Sequence, residues 1–248
     1  MKGDARGRIV TIHQPEHLPW LGFFSKLDAA DLMVSLDVVP FRKNYFQNRN
    51  RVLGPDGGAC WLTVPVRLDG HLHGQIRTVP IAEDGRWRRK HLGTLEHRYR
   101  RHPYFGEVFD RIAPILEADW DGIADLNHAL IDALKDALGI TTPIARASDL
   151  HVAGSRSELL AAICQRVGAE VYLSGPSGRD YLDPAPFEAA GVRIAYHDYE
   201  HPVYPQRGSG GFVSHLSVLD LLFNCGPESA EILRSGRRIA EGSSGASA

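Results

Sequence analysis

The chain has 248 residues, of which 43% are hydrophobic and 23% are charged, and its formal net charge is −2. Single hydrophobic cores stop growing near about 250–300 residues, so this length fits one large domain. The composition excludes a disordered or fibrous chain, and the near-neutral charge excludes a general attraction to nucleic acid or anionic membranes. We expect one domain over residues 1–240 and a small, polar, disordered tail over 241–248.

The cellular compartment is predicted from apolar runs and cysteines. No apolar run approaches the roughly 18–20 residues of a membrane span, and the first residues lack the apolar stretch of a signal peptide. The three cysteines have no zinc-like spacing, and their odd number argues against a disulfide framework. We therefore expect a cytoplasmic protein with reduced cysteines and no membrane insertion.

The first forty residues predict a βαβ unit. A buried strand over 8–12 is followed by a helix over 18–30, where apolar residues recur at helical spacing, and by a second strand over 31–36. Such units cross over with a right hand and place their two strands in parallel. The predicted fold class is therefore α/β, with a mainly parallel, Rossmann-like sheet.

Further elements follow along the chain. Segments 61–66 and 75–81 predict strands whose prolines suit an edge or a strand end. A helical pattern over about 87–139 predicts an insertion or cover that ends at Gly139. Ser155 and Glu158 have the spacing of a capping box before the next helix, and the α/β pattern resumes with a strand at 170–173, a helix at 184–190, a strand at 192–196 and a helix at 214–223.

The segment from His13 to Trp20 is the first candidate site. It lies where the first strand ends and its helix begins, which is where ligands bind in open parallel sheets. Pro15 and Pro19 stiffen the segment, so it would present His13 and Gln14 in a fixed direction. The alternative is structural, with His13 capping the strand and Trp20 in the core.

The second candidate segment follows the second strand. Asp37 ends that strand, and residues 42–50 combine cations, amides and aromatic rings. Such groups bind sugar hydroxyls, carboxylates or phosphates, and the alternative is a solvated polar turn. The candidate ligand-binding residues here are Lys43, Gln47, Asn48 and Arg49.

The second half adds candidates near two strand ends. Arg179 and Tyr181 follow a glycine-containing turn that would hold a phosphate or carboxylate, or would simply connect a strand to a helix. The segment His201 to Gln206 again places a histidine beside proline, with Tyr204 and an amide. If the two histidine loops meet, His13 and His201 would share proton transfer.

Other motifs receive a structural interpretation. Asp220 lies among apolar helix residues, so it must be exposed or paired. Cys225 follows a helix C-terminus, which opposes thiolate formation. His71 and His73 lack further metal ligands, so no metal site is predicted. The basic run over 86–102 would attract an anionic partner or form a solvated helix face.

Many collinear segments resemble the WbqC-like protein family across nearly the whole chain. They are 13–15 (HQP), 18–24 (LPWLGFF), Lys26, 30–31 (AD), 47–51 (QNRNR), 61–66 (WLTVPV), 172–175 (YLSG), 181–183 (YLD), 201–206 (HPVYPQ) and 216–226 (LSVLDLLFNCG). His17 departs from the aromatic residue that we associate with this place in the motif.

The resemblance implies a role in building or decorating an activated sugar or a related amine-bearing metabolite. Our leading hypothesis is a transferase that moves an acyl or aminoacyl group to an amine in polysaccharide or specialised-metabolite (natural product) biosynthesis, with His13 as base. The substrate would be anionic or sugar-linked, and a carrier protein or a tRNA would bring the donor; the sequence does not identify a cofactor. A non-catalytic sugar- or nucleotide-binding protein and a nucleotidyltransferase-like enzyme are the alternatives, although residues 13–17 lack H-x-G-H spacing.

Overall fold

The computed structural model describes residues 7–69, 74–82, 85–208 and 210–241. The predicted pair of His71 and His73 lies outside the described residues, and so does the tail from residue 242 onwards. Glu241, the first residue of the predicted tail, ends a β-strand.

A six-stranded sheet organises the protein, and a two-stranded hairpin lies apart from it. The sheet contains β1 (Ile9–His13), β2 (Leu32–Ser35), β5 (Ile144–Arg146), β6 (Val171–Ser174), β7 (Arg193–Tyr199) and β8 (Arg237–Glu241) in the order β5-β2-β1-β6-β7-β8. All neighbouring strands are parallel except β7 and β8. The hairpin pairs β3 (Arg49–Leu53) with β4 (Ala59–Thr63). The predicted, mainly parallel α/β fold is confirmed.

The predicted βαβ unit forms the centre of the sheet. β1 pairs in parallel with β2, with Val10 opposite Leu32, and α1 (Leu21–Asp28) connects them. Val10 and Ile12 point to one face of the sheet and pack in one apolar cluster, because alternate residues of a strand face opposite sides. The helix begins at Leu21, three residues later than predicted, since Leu18 has a φ of 44° that an α-helix cannot contain.

Helices cover both faces of the sheet. In chain order they are α2 (Arg86–Tyr99), α3 (Phe105–Glu117), α4 (Ile123–Ala137), α5 (Ala147–Leu150), α6 (Arg156–Arg166), α7 (Gly178–Tyr181), α8 (Ala185–Ala189), α9 (Val218–Cys225) and α10 (Ser229–Ser235). One apolar cluster joins residues of α6 and α8 to the sheet. A larger one joins α1, α9 and α10 to the helices α2 to α4 and to the hairpin.

The helical region predicted over 87–139 consists of α2, α3 and α4, which pack on α9 and on the hairpin and not on a separate core. It is therefore a cover on one face of the domain. The hydrophobic stripe expected on α4 is buried, with Leu126, Leu130 and Leu134 each 0% exposed.

Several predicted elements differ in the structure. Residues 75–81 form a 3-10 turn at Ile76–Thr78 with isolated bridges at its ends. The predicted strand 61–66 is only partly extended and belongs to the hairpin. Ser155 occupies the N-cap of α6, but its side chain makes no capping hydrogen bond. Finally, α10 and β8 lie beyond the last helix that the sequence predicts.

No helix in the described part of the chain is long and apolar enough to cross a membrane. Cys60, Cys164 and Cys225 form no disulfide. Burial raises the pKa of Cys225 to about 11, so its thiol stays protonated at neutral pH. The prediction that this cysteine is no nucleophile agrees with this environment.

Candidate functional site

A cleft of about 360 Å³ opens beside the carboxyl ends of β1, β6 and β7. The strand order reverses between β1 and β6, because the chain builds β2 and β5 on one side and then β6 and β7 on the other. The loops diverge at such a reversal, which is where open α/β sheets bind their ligands. Polar and aromatic side chains line the cleft, among them His13, Glu16, Trp20, Lys26, His197 and Tyr199.

Amides from distant parts of the chain hold the loop between β1 and α1. Asn50 of β3 donates to the carbonyl oxygens of His17 at 3.2 Å and Leu18 at 2.9 Å. Asn127 of α4 donates to the carbonyl oxygen of Pro15 at 3.0 Å. The left-handed backbone of Leu18 is costly for a non-glycine residue and persists only where surrounding contacts enforce it. The loop is therefore rigid before any ligand binds.

His13 and Glu16 enter the cleft from this loop. Nε2 of His13 lies 3.9 Å from Oε1 of Glu16, which is too far for a hydrogen bond. Nδ1 of His13 and Oε2 of Glu16 are buried, and neither has a hydrogen-bond partner among the described residues. Burial, helped by the charge of Lys26, holds the pKa of His13 well below its usual range. Burial raises the pKa of Glu16 to about 7, outweighing the opposite effect of Lys26.

Lys26 of α1 is the buried cation of the cleft. Its Nζ donates to the carbonyl oxygen of Ile12 at 3.3 Å, and the side chain belongs to a residue that is only 5% exposed. Burial lowers its pKa to about 8, although the carboxylate of Glu16 opposes this shift. At neutral pH the cleft therefore contains a mostly charged ammonium group beside a half-ionised carboxyl group and a neutral imidazole.

His197 of β7 reaches the same cleft, and a hydrogen-bonded chain fixes its orientation. Its Nε2 lies 3.1 Å from Oγ of Ser25, and Nε of Arg237 donates to that same Oγ at 3.4 Å. Because Ser25 accepts from the guanidinium group, its hydroxyl hydrogen is free to point at His197. Burial lowers the pKa of His197 to about 4, with help from Lys26. His197 is therefore a neutral hydrogen-bonding group.

One side of the cleft is an aromatic wall, formed by Trp20, Tyr199 and His215, with His201 packed against Trp20 outside the lining. The indole of Trp20 stacks on the rings of His215 and His201, with centroids 5.2 and 6.3 Å away, and meets Tyr199 edge-on at 5.6 Å. Gly22 makes room for this ring, since a Cβ at Gly22 would lie 2.2 Å from Cζ2 of Trp20. A flat, partly exposed ring system thus faces the ligand space.

The two predicted catalytic histidines lie near the same ring but make no contact. His201 packs against Trp20, which lines the cleft together with His13, yet His201 itself does not line it. Nδ1 of His201 donates to the carbonyl oxygen of Pro202 at 2.9 Å, and its buried Nε2 has no partner. No hydrogen bond joins His13 to His201 among the residues described, so shared proton transfer has no direct path between them.

Three predicted ligand-binding amides, Gln14, Gln47 and Asn48, form hydrogen bonds within the protein. Nε2 of Gln47 donates to Oε1 of Gln14 at 2.7 Å, and Oε1 of Gln47 accepts from the amide of Arg42 at 2.6 Å. Nδ2 of Asn48 donates to the carbonyl oxygen of Val64 at 2.8 Å. None of the three lines the cleft. Their polar groups shape the loops around it.

Asp37, Lys43 and Arg49 also lie outside the lining of the cleft. Asp37 is buried and accepts from the amide and the hydroxyl group of Ser148 at 3.0 and 2.7 Å, so it fixes the start of α5. Lys43 is exposed. The guanidinium group of Arg49 lies 4.2 Å from the ring centroid of Trp61.

The candidates in the second half divide into a surface pair and a buried group. Arg179 forms two hydrogen bonds with Asp198, at 2.7 and 2.9 Å, and Tyr181 is 63% exposed. Tyr204 and Gln206 donate to Oδ2 of the buried Asp220 at 2.8 and 2.6 Å, so Asp220 is paired. None of these residues lines the cleft.

His17 contacts the helical cover, and the basic run is part of that cover. His17 is 0% exposed, with Nε2 lying 3.1 Å from Nε2 of His91 and Nδ1 lying 3.2 Å from Oδ1 of Asn127. Arg88 is 8% exposed and donates to the carbonyl oxygen of Ala118 at 3.0 Å, so it is not part of a solvated face. No residue of the run over 86–102 lines the cleft.

Sequence reasoning did not single out Glu16, Lys26, His197 or Tyr199 as site residues. The spacing of α1 carried a signal for Lys26, because it lies on the buried stripe three residues after Phe23 and one before Leu27. A cation on an apolar helix face requires a compensating partner or a function. His197 and Tyr199 share one face of β7, as their alternate positions require.

A profile of the WbqC-like protein family matches residues 14–232. The chain belongs to the WbqC-like family. It is 36% identical over 231 residues to the uncharacterized protein Rv1507c of Mycobacterium tuberculosis (strain ATCC 25618 / H37Rv), an alignment that covers 92% of this chain and 99% of that protein. No solved structure matches. The matched range of this WbqC-like protein contains Glu16, Lys26, His197 and the aromatic wall, while His13 immediately precedes it.

Proposed function

We propose that this WbqC-like protein is a transferase that moves an acyl or aminoacyl group to the amine of a small, sugar-linked acceptor. The reaction would serve polysaccharide or specialised-metabolite biosynthesis in the cytoplasm. The observation that carries the proposal is the convergence of Glu16, His13 and Lys26 in one cleft at the reversal of strand order. These groups supply a base, a neutral hydrogen-bonding ring and a positive charge.

Glu16 is the group best suited to receive the proton of the attacking amine. A general base works best when its pKa lies near the working pH, and burial brings the pKa of Glu16 to about 7. The amine nitrogen forms a bond to the carbonyl carbon of the donor, and the bond from that carbon to the leaving oxygen or sulfur breaks. The proton passes from nitrogen to Glu16 and then to the leaving group, so atoms and electrons balance.

His13 and Lys26 complete this arrangement. The 3.9 Å between Nε2 of His13 and Oε1 of Glu16 leaves a position from which one amine nitrogen reaches both atoms. The neutral imidazole orients the nucleophile without competing for its proton, because its pKa is strongly lowered. The ammonium group of Lys26 stabilises the negative charge that develops on the carbonyl oxygen of the donor. We thus assign the role of base, first given to His13, to Glu16.

A transfer assay tests the proposal. Thioester donors and aminoacyl-tRNAs represent the two carriers, and the acceptors are amino sugars, free and linked to a nucleoside diphosphate. Mass spectrometry detects the amide product. We expect product with the wild-type protein and a rate about 10²–10⁴-fold lower in Glu16→Gln, the usual range for losing a general base. Glu96→Gln makes the same chemical change at an exposed position of α2 and keeps the wild-type rate.

Two outcomes contradict the transferase. One is the absence of amide product from the wild-type protein with every donor and acceptor, and the other is full turnover in Glu16→Gln. The aromatic wall favours a second candidate, a non-catalytic sugar- or nucleotide-binding protein, because stacked rings bind ligands without reacting. Ligand binding without any turnover, unaffected by Glu16→Gln, would support that candidate.

A further inference from the structure

Arginines and exposed rings form a stripe that runs from the lining of the cleft onto the hairpin, made of Arg42, Tyr45, Arg49, Arg51 and Trp61. Arg51 lies opposite Trp61 in the hairpin, and Arg49 is two residues from Arg51, so all three share one face of it. The guanidinium carbon of Arg49 lies 4.2 Å from the ring centroid of Trp61, and that of Arg51 lies 5.8 Å away. Arg42 covers the ring of Tyr45 at 5.0 Å.

The cations of this arginine–aromatic stripe have few partners. Across the described ranges, neither Arg42, Arg49 nor Arg51 forms an ion pair with a carboxylate. Arg51 donates from Nη2 to the carbonyl oxygen of His215 at 3.0 Å, while the buried Nε atoms of Arg49 and Arg51 have no partner. Guanidinium groups in this state are donors that lack an anion.

The stripe leads directly into the cleft. Tyr45 and Arg51 line the cleft together with Glu16 and His13, so a ligand held by the stripe extends to the proposed base. Trp61 is 39% and Tyr45 is 42% exposed, which leaves ring surface open to stacking. Rings and arginines of the stripe therefore adjoin the reactive groups of the cleft.

We propose that the arginine–aromatic stripe binds a nucleoside diphosphate and that the amino-sugar acceptor enters the cleft attached to it. This inference rests on the proposed function and specifies its substrate class. Arginine forks bind phosphate oxygens in pairs, and exposed aromatic rings stack on the base, which has a π-face whatever its identity. The diphosphate lies at Arg49 and Arg51, and the sugar reaches Glu16.

A single nucleotide fits the stripe better than a polynucleotide. Two cations of α2, Lys90 and Arg98, approach the hairpin from its opposite face, because they influence Cys60, whose side chain points away from that of Trp61. Arg98 also donates to the carbonyl oxygen of Gly208 at 3.1 Å. These cations of α2 therefore do not extend the stripe.

Binding to the full chain, measured by calorimetry, tests this inference. The probes are UDP and ADP, with uridine and inorganic pyrophosphate as their parts and a ten-nucleotide single-stranded RNA as the longer alternative. We expect a nucleoside diphosphate to bind at least about tenfold more tightly than either part, because stacking and ion pairing add. Raising the salt concentration should weaken binding, as for any phosphate held by arginine.

Variants assign the contacts. Among the described residues the side chain of Arg49 makes no hydrogen bond, so Arg49→Gln should keep the fold and weaken binding of the nucleoside diphosphate at least about tenfold. Trp61→Ala should weaken the nucleoside diphosphate but leave pyrophosphate unchanged. Arg51→Lys keeps the positive charge and is the control for a loop disturbed by loss of the contact between Arg51 and His215. It should bind the nucleoside diphosphate more weakly than the wild type does. Arg89→Gln on exposed α2 is the matched control and should bind normally.

Three outcomes overturn the inference. They are no binding of UDP or ADP up to about 1 mM, pyrophosphate bound as tightly as the diphosphates, and the RNA bound more tightly than either. These results are independent of turnover. Amide formation without nucleotide binding would refute the proposed substrate class but not the transferase activity. Nucleotide binding without amide formation would refute the transferase activity but not the nucleotide site.

Discussion

Two of the buried carboxylates have contrasting surroundings, Glu16 in the cleft and Asp220 on α9. Asp220 is 0% exposed and accepts hydrogen bonds from Tyr99 at 2.9 Å, Tyr204 at 2.8 Å and Gln206 at 2.6 Å. Oε2 of Glu16 is equally hidden and accepts none. A satisfied carboxylate stabilises the fold, whereas an unsatisfied one retains its binding capacity for a ligand.

The same contrast separates two histidines of one loop. His17 is fully buried and meets His91 and Asn127, whereas Nδ1 of His13 has no partner in the described structure. The satisfied groups join the helical cover to the loop, and the unsatisfied ones face the cleft. The following predictions test this division.

The largest expected effect concerns the pH dependence of turnover. If Glu16 is the base, kcat/KM falls about tenfold for each pH unit below the folded pKa of about 7. A fall on the alkaline side should begin near pH 8, where Lys26 loses its proton. Steady-state rates between pH 5 and 9 measure both limbs. Because the acceptor amine must itself be deprotonated to attack, Glu16→Gln should keep only the acid limb that follows the pKa of the amine. An acid limb as steep in this variant as in the wild type would move the base elsewhere.

The second prediction concerns stability at the satisfied carboxylate. Asp220→Ala leaves two buried hydroxyl groups and an amide without their acceptor, so the free energy of unfolding should fall by about 2–4 kcal/mol. Urea denaturation measures this change. Glu16→Gln should alter stability by less than about 1 kcal/mol, or raise it, because function and stability conflict at such sites. Equal losses in both variants would erase the distinction between the two carboxylates.

Much of the central fold was predictable because its signals are local. The apolar runs of β1, β2 and β6 and the helical spacing of α1 reflect burial on both faces of a parallel sheet. The prediction of a strand over 75–81 was wrong, because β-branched residues and prolines occur both in strand ends and in extended bridges around a 3-10 turn. The pairing of β8 with β7 depends on tertiary contacts between distant segments and left no local pattern.

The candidate site was predictable in location more than in composition. The end of β1 indicated the cleft, since loops at carboxyl ends gather at a reversal of strand order. Residue type alone could not separate His13 from His17, or Glu16 from Asp220, because each pair differs only in what surrounds it. The amides of Gln47 and Asn48 looked like ligand-binding groups; both amide groups of Gln47 and Nδ2 of Asn48 have partners within the protein, whereas Oδ1 of Asn48 has none among the described residues.

The third prediction concerns acid stability of the satisfied region. Burial lowers the folded pKa of His91 to about 4, and its unfolded value is about 6.5. Between these two pKa values the unfolded state therefore binds more protons than the folded state. The stabilisation that comes from a neutral His91 is complete above pH 6.5 and is lost as the pH falls toward 4, by about 1.4 kcal/mol per pH unit. Urea denaturation between pH 7 and 4.5 should show that the free energy of unfolding falls less steeply with decreasing pH in His91→Gln than in the wild type. A slope equal to wild type would mean that His91 is protonated in the fold.

The smallest expected effects lie in the basic run of α2. Arg88 donates to a backbone carbonyl from a buried position, so Arg88→Ala should cost about 1–3 kcal/mol through lost hydrogen bonds and lost packing. Arg89 and Lys90 are exposed, and the double variant Arg89→Gln with Lys90→Gln should stay within about 0.5 kcal/mol of wild type. Its affinity for UDP and its turnover should also be unchanged, because neither residue lines the cleft. A loss of affinity that grows at low salt would show that α2 attracts the anionic ligand, and the functional surface would then extend from the cleft onto the helical cover.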